Sequence, residues 1–230
     1  MPEGWKKVPI ESYLKREPII EEVTTSLTAA EAFELLKDRP FSFFLDSGMD
    51  PQKLGRYSFI GSDPFLVLKS RGGEIALLHG DREEIVIGNP FDVLGQMLEK
   101  YALGSSPAPI PFVGGAVGYL SYDLCHFIER LPSTAIDDLK LPECYFAFYD
   151  VILAFDHLEG RAYIASTGFP EMEESQRMRR AKERLDELRD TIAETPQLEI
   201  APSLKKGVLL YSNFTHEEYV KAVAAAREYI

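Results

Sequence analysis

Along the chain the hydrophobic period changes repeatedly, and each change predicts an element. Phe41 to Leu45 and Tyr57 to Ile60 are dense in apolar and aromatic residues that suit a half-buried pleated surface. The polar loop between them carries Gly48, Pro51 and Gly55 and is too long for a two-residue hairpin. Upstream, Glu17 to Val23 reads as a short edge strand, because Pro18 withholds a ladder donor. Thr28 and Glu31 have capping-box spacing. Ala32, Leu35 and Leu36 then line one face of a helix, with Phe33 at its edge, and Asp38-Arg39-Pro40 stops it.

Downstream, Phe65 to Arg71, Glu74 to His79 and Glu84 to Ile87 are strands. The turns Gly72-Gly73 and Gly80-Asp81 join them into an antiparallel meander, since such short connections cannot make parallel crossovers. Asn89 caps a helix with Pro90 at its first position, and Phe91, Val93, Leu94, Met97, Leu98 and Tyr101 form its apolar face. After a Pro/Ser-rich loop from Gly104 to Pro111, the run Phe112 to Tyr119 contains Gly114, Gly115 and Gly118, which predict close strand packing. A dinucleotide fingerprint is excluded by the spacing and by the missing crossover helix. Tyr122 to Arg130 predicts a short helix, and Cys144 to Asp156, apolar on both faces, one central strand. Arg161 to Ser166 predicts its return. From Glu171 to Glu194 a charged helix places Met178, Ala181, Leu185, Leu188 and Ile192 on one stripe, its Glu and Arg residues on a solvated face. Thr195 to Gly207 is a connection. Thr215 and Glu218 cap a last helix with the stripe Tyr219, Val223, Ala226 and Ile230. That helix meets no stop signal, so the reading expects an N-terminal piece of a longer protein.

The net charge of −12 argues against nucleic-acid binding and against adhesion to an anionic membrane surface. No apolar run is long enough to span a bilayer, and Met1 to Glu17 lacks the apolar centre of a signal peptide. Cys125 and Cys144, apart and in apolar surroundings, predict buried free thiols and a cytoplasmic location. His79, His126, His157 and His216 lack metal-ligand spacing; His79 and His157 flank turns and are expected in solvent. No nucleophile elbow, Walker loop or paired carboxylates suggest catalysis. The loop after Leu45 displays Asp46, Ser47, Asp50, Lys53 and Arg56 between strand ends, an arrangement compatible with a small-ligand clamp or with an ordinary solvated loop. The residues alone favour the ordinary loop, and a binding or scaffold module over a catalyst.

The collinear blocks FFLDSG with LGRYSFIGSDP, PFVGGAVGYLSYDLCHFIERLP, YFAFYDVILAFDH and SNFTHEEYVKAV resemble the N-terminal region of the chorismate-using synthases. These are anthranilate synthase component I and para-aminobenzoate (aminodeoxychorismate) synthase component I. The resemblance runs from about Phe41 to Ile230. Asp46, where the anthranilate branch usually has Glu, leans towards the para-aminobenzoate branch and folate synthesis. The anthranilate branch and a free-standing small-molecule-binding domain are the alternatives. The resemblance implies an α+β fold, a layered α/β/β/α architecture with large, mainly antiparallel sheets. It implies an N-terminal domain over 1–211 and the first helix of a chorismate-binding domain over 212–230. Chorismate and Mg²⁺ sites would lie in the absent C-terminal part, and a glutamine amidotransferase would supply ammonia. This chain alone is then expected to be inactive, with no catalytic or metal residues. It would retain part of a tryptophan-type pocket from Leu45, Asp46, Ser47, Arg56, Tyr57, Ser58 and Phe59, in which Asp46 pairs with the ligand ammonium and Ser47 or Ser58 bonds its amino or carboxylate group. Since the family pocket also draws on the absent domain, tryptophan binding by this chain is expected to be weak or nil.

Overall fold

The structure, a computed structural model, describes residues 16–47, 50, 54–104, 106–132, 136–193 and 211–229. The 195–207 connection, Gly48, Pro51, Lys53 and Ile230 lie outside them. The chain divides into a unit over Met1–Pro196 and a second over Gln197–Ile230.

Among the described residues of the first unit, ten strands form two antiparallel five-stranded sheets. Sheet A contains β1 (Ile19–Val23), β2 (Phe43–Leu45), β3 (Tyr57–Gly61), β9 (Val151–Asp156) and β10 (Arg161–Ser166), in the order β1-β10-β9-β3-β2. Sheet B contains β4 (Leu66–Arg71), β5 (Glu74–His79), β6 (Arg82–Ile87), β7 (Gly115–Leu120) and β8 (Cys144–Tyr149), in the order β6-β5-β4-β8-β7. The meander β4-β5-β6 and the edge position of β1 follow the sequence reading.

Helices α1 (Ala29–Leu36) and α3 (Glu174–Ala193) cover sheet A, where Ala32, Leu36, Leu185, Leu188 and Ile192 meet Ile60, Leu153 and Ile164. Helix α2 (Pro90–Lys100) covers sheet B, where Val93, Leu94 and Met97 cluster with Leu66, Leu68 and Leu77. Between the sheets lie Val67, Ala147, Tyr149, Ile152, Ala154 and Tyr163. Three apolar interfaces thus separate four layers, α/β/β/α.

The caps form as the residues dictate. Glu31 N–H donates to Thr28 Oγ1, while the Glu31 carboxylate accepts from Thr28 N–H at 2.7 Å. Asn89 Oδ1 accepts from Phe91 N–H at 2.9 Å, with Pro90 at the first helical position. Gly118 sits where an added Cβ would fall 1.9 Å from the Tyr145 carbonyl oxygen, so β7 lies against β8 only because that residue has no side chain. Tyr122–Phe127 is a short 3₁₀ helix that buries Leu124. Cys144 is buried and its thiol is pushed up to about 11 by desolvation, whereas Cys125 is only half-buried.

Four expectations need correction. The run Cys144 to Asp156 is two strands in different sheets, joined through Asp150. Tyr145, Ala147 and Tyr149 face the space between the sheets before the switch, and Ile152 and Ala154 after it. On α3, Met178 is 38% exposed, and Arg177, fully buried, takes the place on the stripe. Its guanidinium replaces water with the carbonyls of Thr167 (2.7 Å) and Glu17 (2.9 Å). Nor are the arginines of α3 all solvated: Arg180 and Arg184 both reach the buried carboxylate of Asp150, at 3.1 and 3.4 Å. On α2, Leu98 points outward.

The second unit contains α4 (His216–Tyr229), capped as its spacing predicts, with Thr215 and Glu218 bonded reciprocally. Tyr219 and Val223 of its apolar stripe are exposed.

Candidate functional site

The ends of β2, β3 and β9 come together at one edge region of sheet A. Antiparallel register pairs Phe44 with Ile60 and Leu45 with Phe59. Extending it by one residue sets Asp46 opposite Ser58, and the Ser58 hydroxyl donates to Asp46 Oδ1 at 2.7 Å. On the other side, β3 pairs with β9 so that Tyr57 faces Asp156 and Ser58 faces Phe155. His157 N–H then donates to the Arg56 carbonyl at 2.7 Å. The His157 ring lies flat along Phe155, 6.5 Å between centroids, with Nε2 at 2.7 Å from Ser58 Oγ. Asp46, Ser58 and His157 therefore form one hydrogen-bonded cluster around a serine that is fully buried.

The order of this cluster excludes a nucleophile. In a Ser–His–Asp triad the imidazole stands between hydroxyl and carboxylate. Here the hydroxyl stands between the other two and has no surface open to an electrophile.

Arg56 and Asp156 make a second unit. Arg56 Nη2 donates to Asp156 Oδ2 at 2.7 Å and Nε to Oδ1 at 3.0 Å, a forked pair. The Leu158 and Glu159 N–H groups also donate to Asp156 Oδ1. The Arg56 hydrogen bond, followed by those backbone donors, holds the Asp156 carboxyl below its ordinary 3.8. Arg56 also lies 4.9 Å over the Tyr57 ring.

A depressed carboxyl contributes stability above its unfolded value and loses it as pH falls through the folded value. The protein is therefore expected to lose stability on acidification below the ordinary Asp range, and Asp156→Asn to flatten that part of the curve. Unfolding midpoints between about pH 5 and pH 2 measure this. An unchanged slope in the variant would remove Asp156 as its source.

The strand pleat splits the residues singled out from the sequence. Asp46 and Ser58 share the face of Phe44 and Ile60, towards α1 and α3. Leu45, Tyr57 and Phe59 take the opposite parity, and Tyr57 and Phe59 pack into the layer between the sheets. There Tyr57 stacks on Phe59 at 6.0 Å, and Phe112 meets Phe59 edge-on at 5.6 Å. Leu45 is 46% exposed and Ser47 half-buried. Arg56 sits beyond the strand end, committed to Asp156. Two small recesses in the first unit lie elsewhere, one lined by Arg39, Ser62 and Arg184, the other by Phe65, Tyr101 and Phe169.

His157, Asp156 and Phe112 were not among the residues singled out. His157 is exposed, as its place next to a turn suggests, yet its ring nitrogen reaches a buried hydroxyl. The signal was register: any alignment that sets Ser58 against Phe155 carries His157 to the same end. His79 is half-buried, and that burial pushes its imidazole below 6.5. Among the described residues, no three His, Cys, Asp or Glu side chains are grouped to hold a metal ion. No helix among them is long and apolar enough to cross a membrane.

Sheets, caps and strand-end clusters of this kind are accompanied by a match to a known family. Residues 39–230 match the family model described as chorismate binding enzyme, and the chain belongs to that family. Anthranilate synthase component 1 of Acetivibrio thermocellus is 32% identical over 222 residues, which is 93% of this chain and 45% of that protein. Anthranilate synthase component 1 of Bacillus subtilis is 36% identical over 142 residues, 61% of this chain and 27% of that protein. This chain thus spans less than half the length of either relative. The crystal structure of anthranilate synthase component I from Streptococcus pneumoniae superposes with a TM-score of 0.51 at 19% identity, covering 78% of this chain and 39% of that one, and shares its fold.

Proposed function

We propose that this chain is the N-terminal portion of an anthranilate synthase component I type of enzyme. The observation that carries the reading is the 32% identity to such a component across 93% of the chain. The whole protein would aminate chorismate in the cytoplasm, with ammonia from a glutamine amidotransferase and Mg²⁺ held outside this chain. The chain alone would be inactive.

Asp46 favours the second reading, the aminodeoxychorismate branch. It weighs less, because Asp and Glu are both carboxylates and differ by one methylene. The 2.7 Å bond from Ser58 needs only the shorter one.

We further read the β2–β3 end as part of a tryptophan-type effector pocket. Asp46 and Ser47 would be the polar anchors, with the buried Ser58 holding Asp46 in place; Leu45, Tyr57 and Phe59 lie on the opposite face and would back the strands rather than share a wall with those anchors. Arg56 would hold the rim through Asp156.

The test is ammonia-dependent turnover of chorismate by a protein carrying this chain and the remaining length found in its relatives. Anthranilate as product supports the reading. Aminodeoxychorismate would replace it with the second, and no turnover by the long protein would overturn both.

A further inference from the structure

We infer that His157 is a positioning residue, which fixes Asp46 by dictating which way the Ser58 hydroxyl points. Ser58 Oγ lies 2.7 Å from Asp46 Oδ1 and 2.7 Å from His157 Nε2. A hydroxyl has one hydrogen to give, and an ionised carboxylate can only accept. If Nε2 carried no hydrogen, two acceptors would compete for that single proton, and one contact would set lone pair against lone pair. Ser58 is fully buried, so water cannot relieve such a contact. The consistent arrangement has Nε2–H donating to Ser58 Oγ and Ser58 O–H donating to Asp46.

Neighbouring groups leave this chain of donors intact. Arg56, at the end of β3, is forked onto Asp156. The imidazole plane is set by Phe155, with only 11° between the rings, and its backbone by the bond to Arg56. The last residues of β9 therefore hold a proton donor at a fixed place, and Ser58 passes that constraint across β3 to the residue after β2. Asp46 begins the loop to Arg56, so the constraint acts on an anchor of the proposed pocket. In its ligand arm the inference rests on that reading; in its proton arm it does not.

The experiment is NMR of the 230-residue chain, followed by titration with L-tryptophan of the longer protein that carries this chain and the remaining length found in its relatives. At about pH 8, where an ordinary imidazole is neutral, His157 is expected to carry its hydrogen on Nε2. This measurement needs no variant, and an unprotonated Nε2 overturns the inference. His157→Phe keeps a ring on Phe155 and removes the donor; it is expected to move the Asp46 carboxyl carbon resonance, and His157→Gln to bring it back. An Asp46 resonance identical in His157→Phe and the parent protein overturns the inference too.

With ligand, His157→Phe and Ser58→Ala are each expected to weaken the tryptophan response about tenfold, and together no more than either alone. Unaltered binding in His157→Phe removes the positioning role. A parent protein that ignores tryptophan removes the effector reading, while the nitrogen and carbon resonances still decide the role of His157.

Discussion

Replacing Asp150 with alanine is expected to destabilise the protein by about 3 kcal/mol, the lower end of what breaking a buried ion pair costs. Asp150 is fully buried where β8 becomes β9, and both Arg180 and Arg184 approach it from α3. Burial pushes its carboxyl above the usual range, and Arg184 and then Arg180 pull it back. Removing it leaves two guanidiniums without their buried acceptor. The cost stays at the low end because Arg180 and Arg184 keep 34% and 15% of their side chains in solvent, where water can replace part of the loss. The fall in thermal midpoint would be roughly 6 to 12 °C for a domain of this size. Asp150→Asn keeps an acceptor oxygen and is expected to cost less than alanine. Urea unfolding of the three proteins decides this, and a loss under about 1 kcal/mol for alanine would show that the joint holds by packing alone.

The second large effect is expected at Gly168, between β10 and α3. It has φ of +74°, and an added Cβ would fall 2.0 Å from the Arg177 carbonyl oxygen. Backbone cannot step aside as the far end of a side chain can. Gly168→Ala therefore combines left-handed strain with overpacking, together about 2 to 4 kcal/mol. Gly160 provides the comparison, with φ of +64° and no atom within 4 Å of an added Cβ. There alanine meets only the backbone term, about 1 kcal/mol. Equal losses at the two glycines, measured in parallel, would show that the approach of α3 to Gly168 carries no weight.

Local chemistry made much of this architecture legible. Thr28 with Glu31, Asn89 with Pro90, and Thr215 with Glu218 each form the cap their spacing predicts. Gly72-Gly73 and Gly80-Asp81 turn the meander as short connections must. What could not be read was the division of Cys144 to Asp156 between two sheets. Both faces of each strand are covered, by a helix layer outside and a sheet inside, so no polar alternation records the change of phase at Asp150. Arg177 was hidden for a different reason. A fully buried arginine needs distant carbonyls, and Glu17 is far from it in sequence. The candidate site was half legible: the strand ends and their residues were visible, and the alternation of Ser58 with Tyr57 and Phe59 already implies opposite faces, but His157 joins Ser58 only through the pairing of β3 with β9.

The passage from β8 to β9 through one residue also limits how this fold can change its length. A loop between sheets would absorb an inserted residue, but here there is none. One extra residue at Asp150 would turn Val151, Leu153 and Phe155 inward and Ile152 and Ala154 outward, exchanging the linings of two cores at once. Drift in chain length has room at the turn after Asp156, and none at the joint.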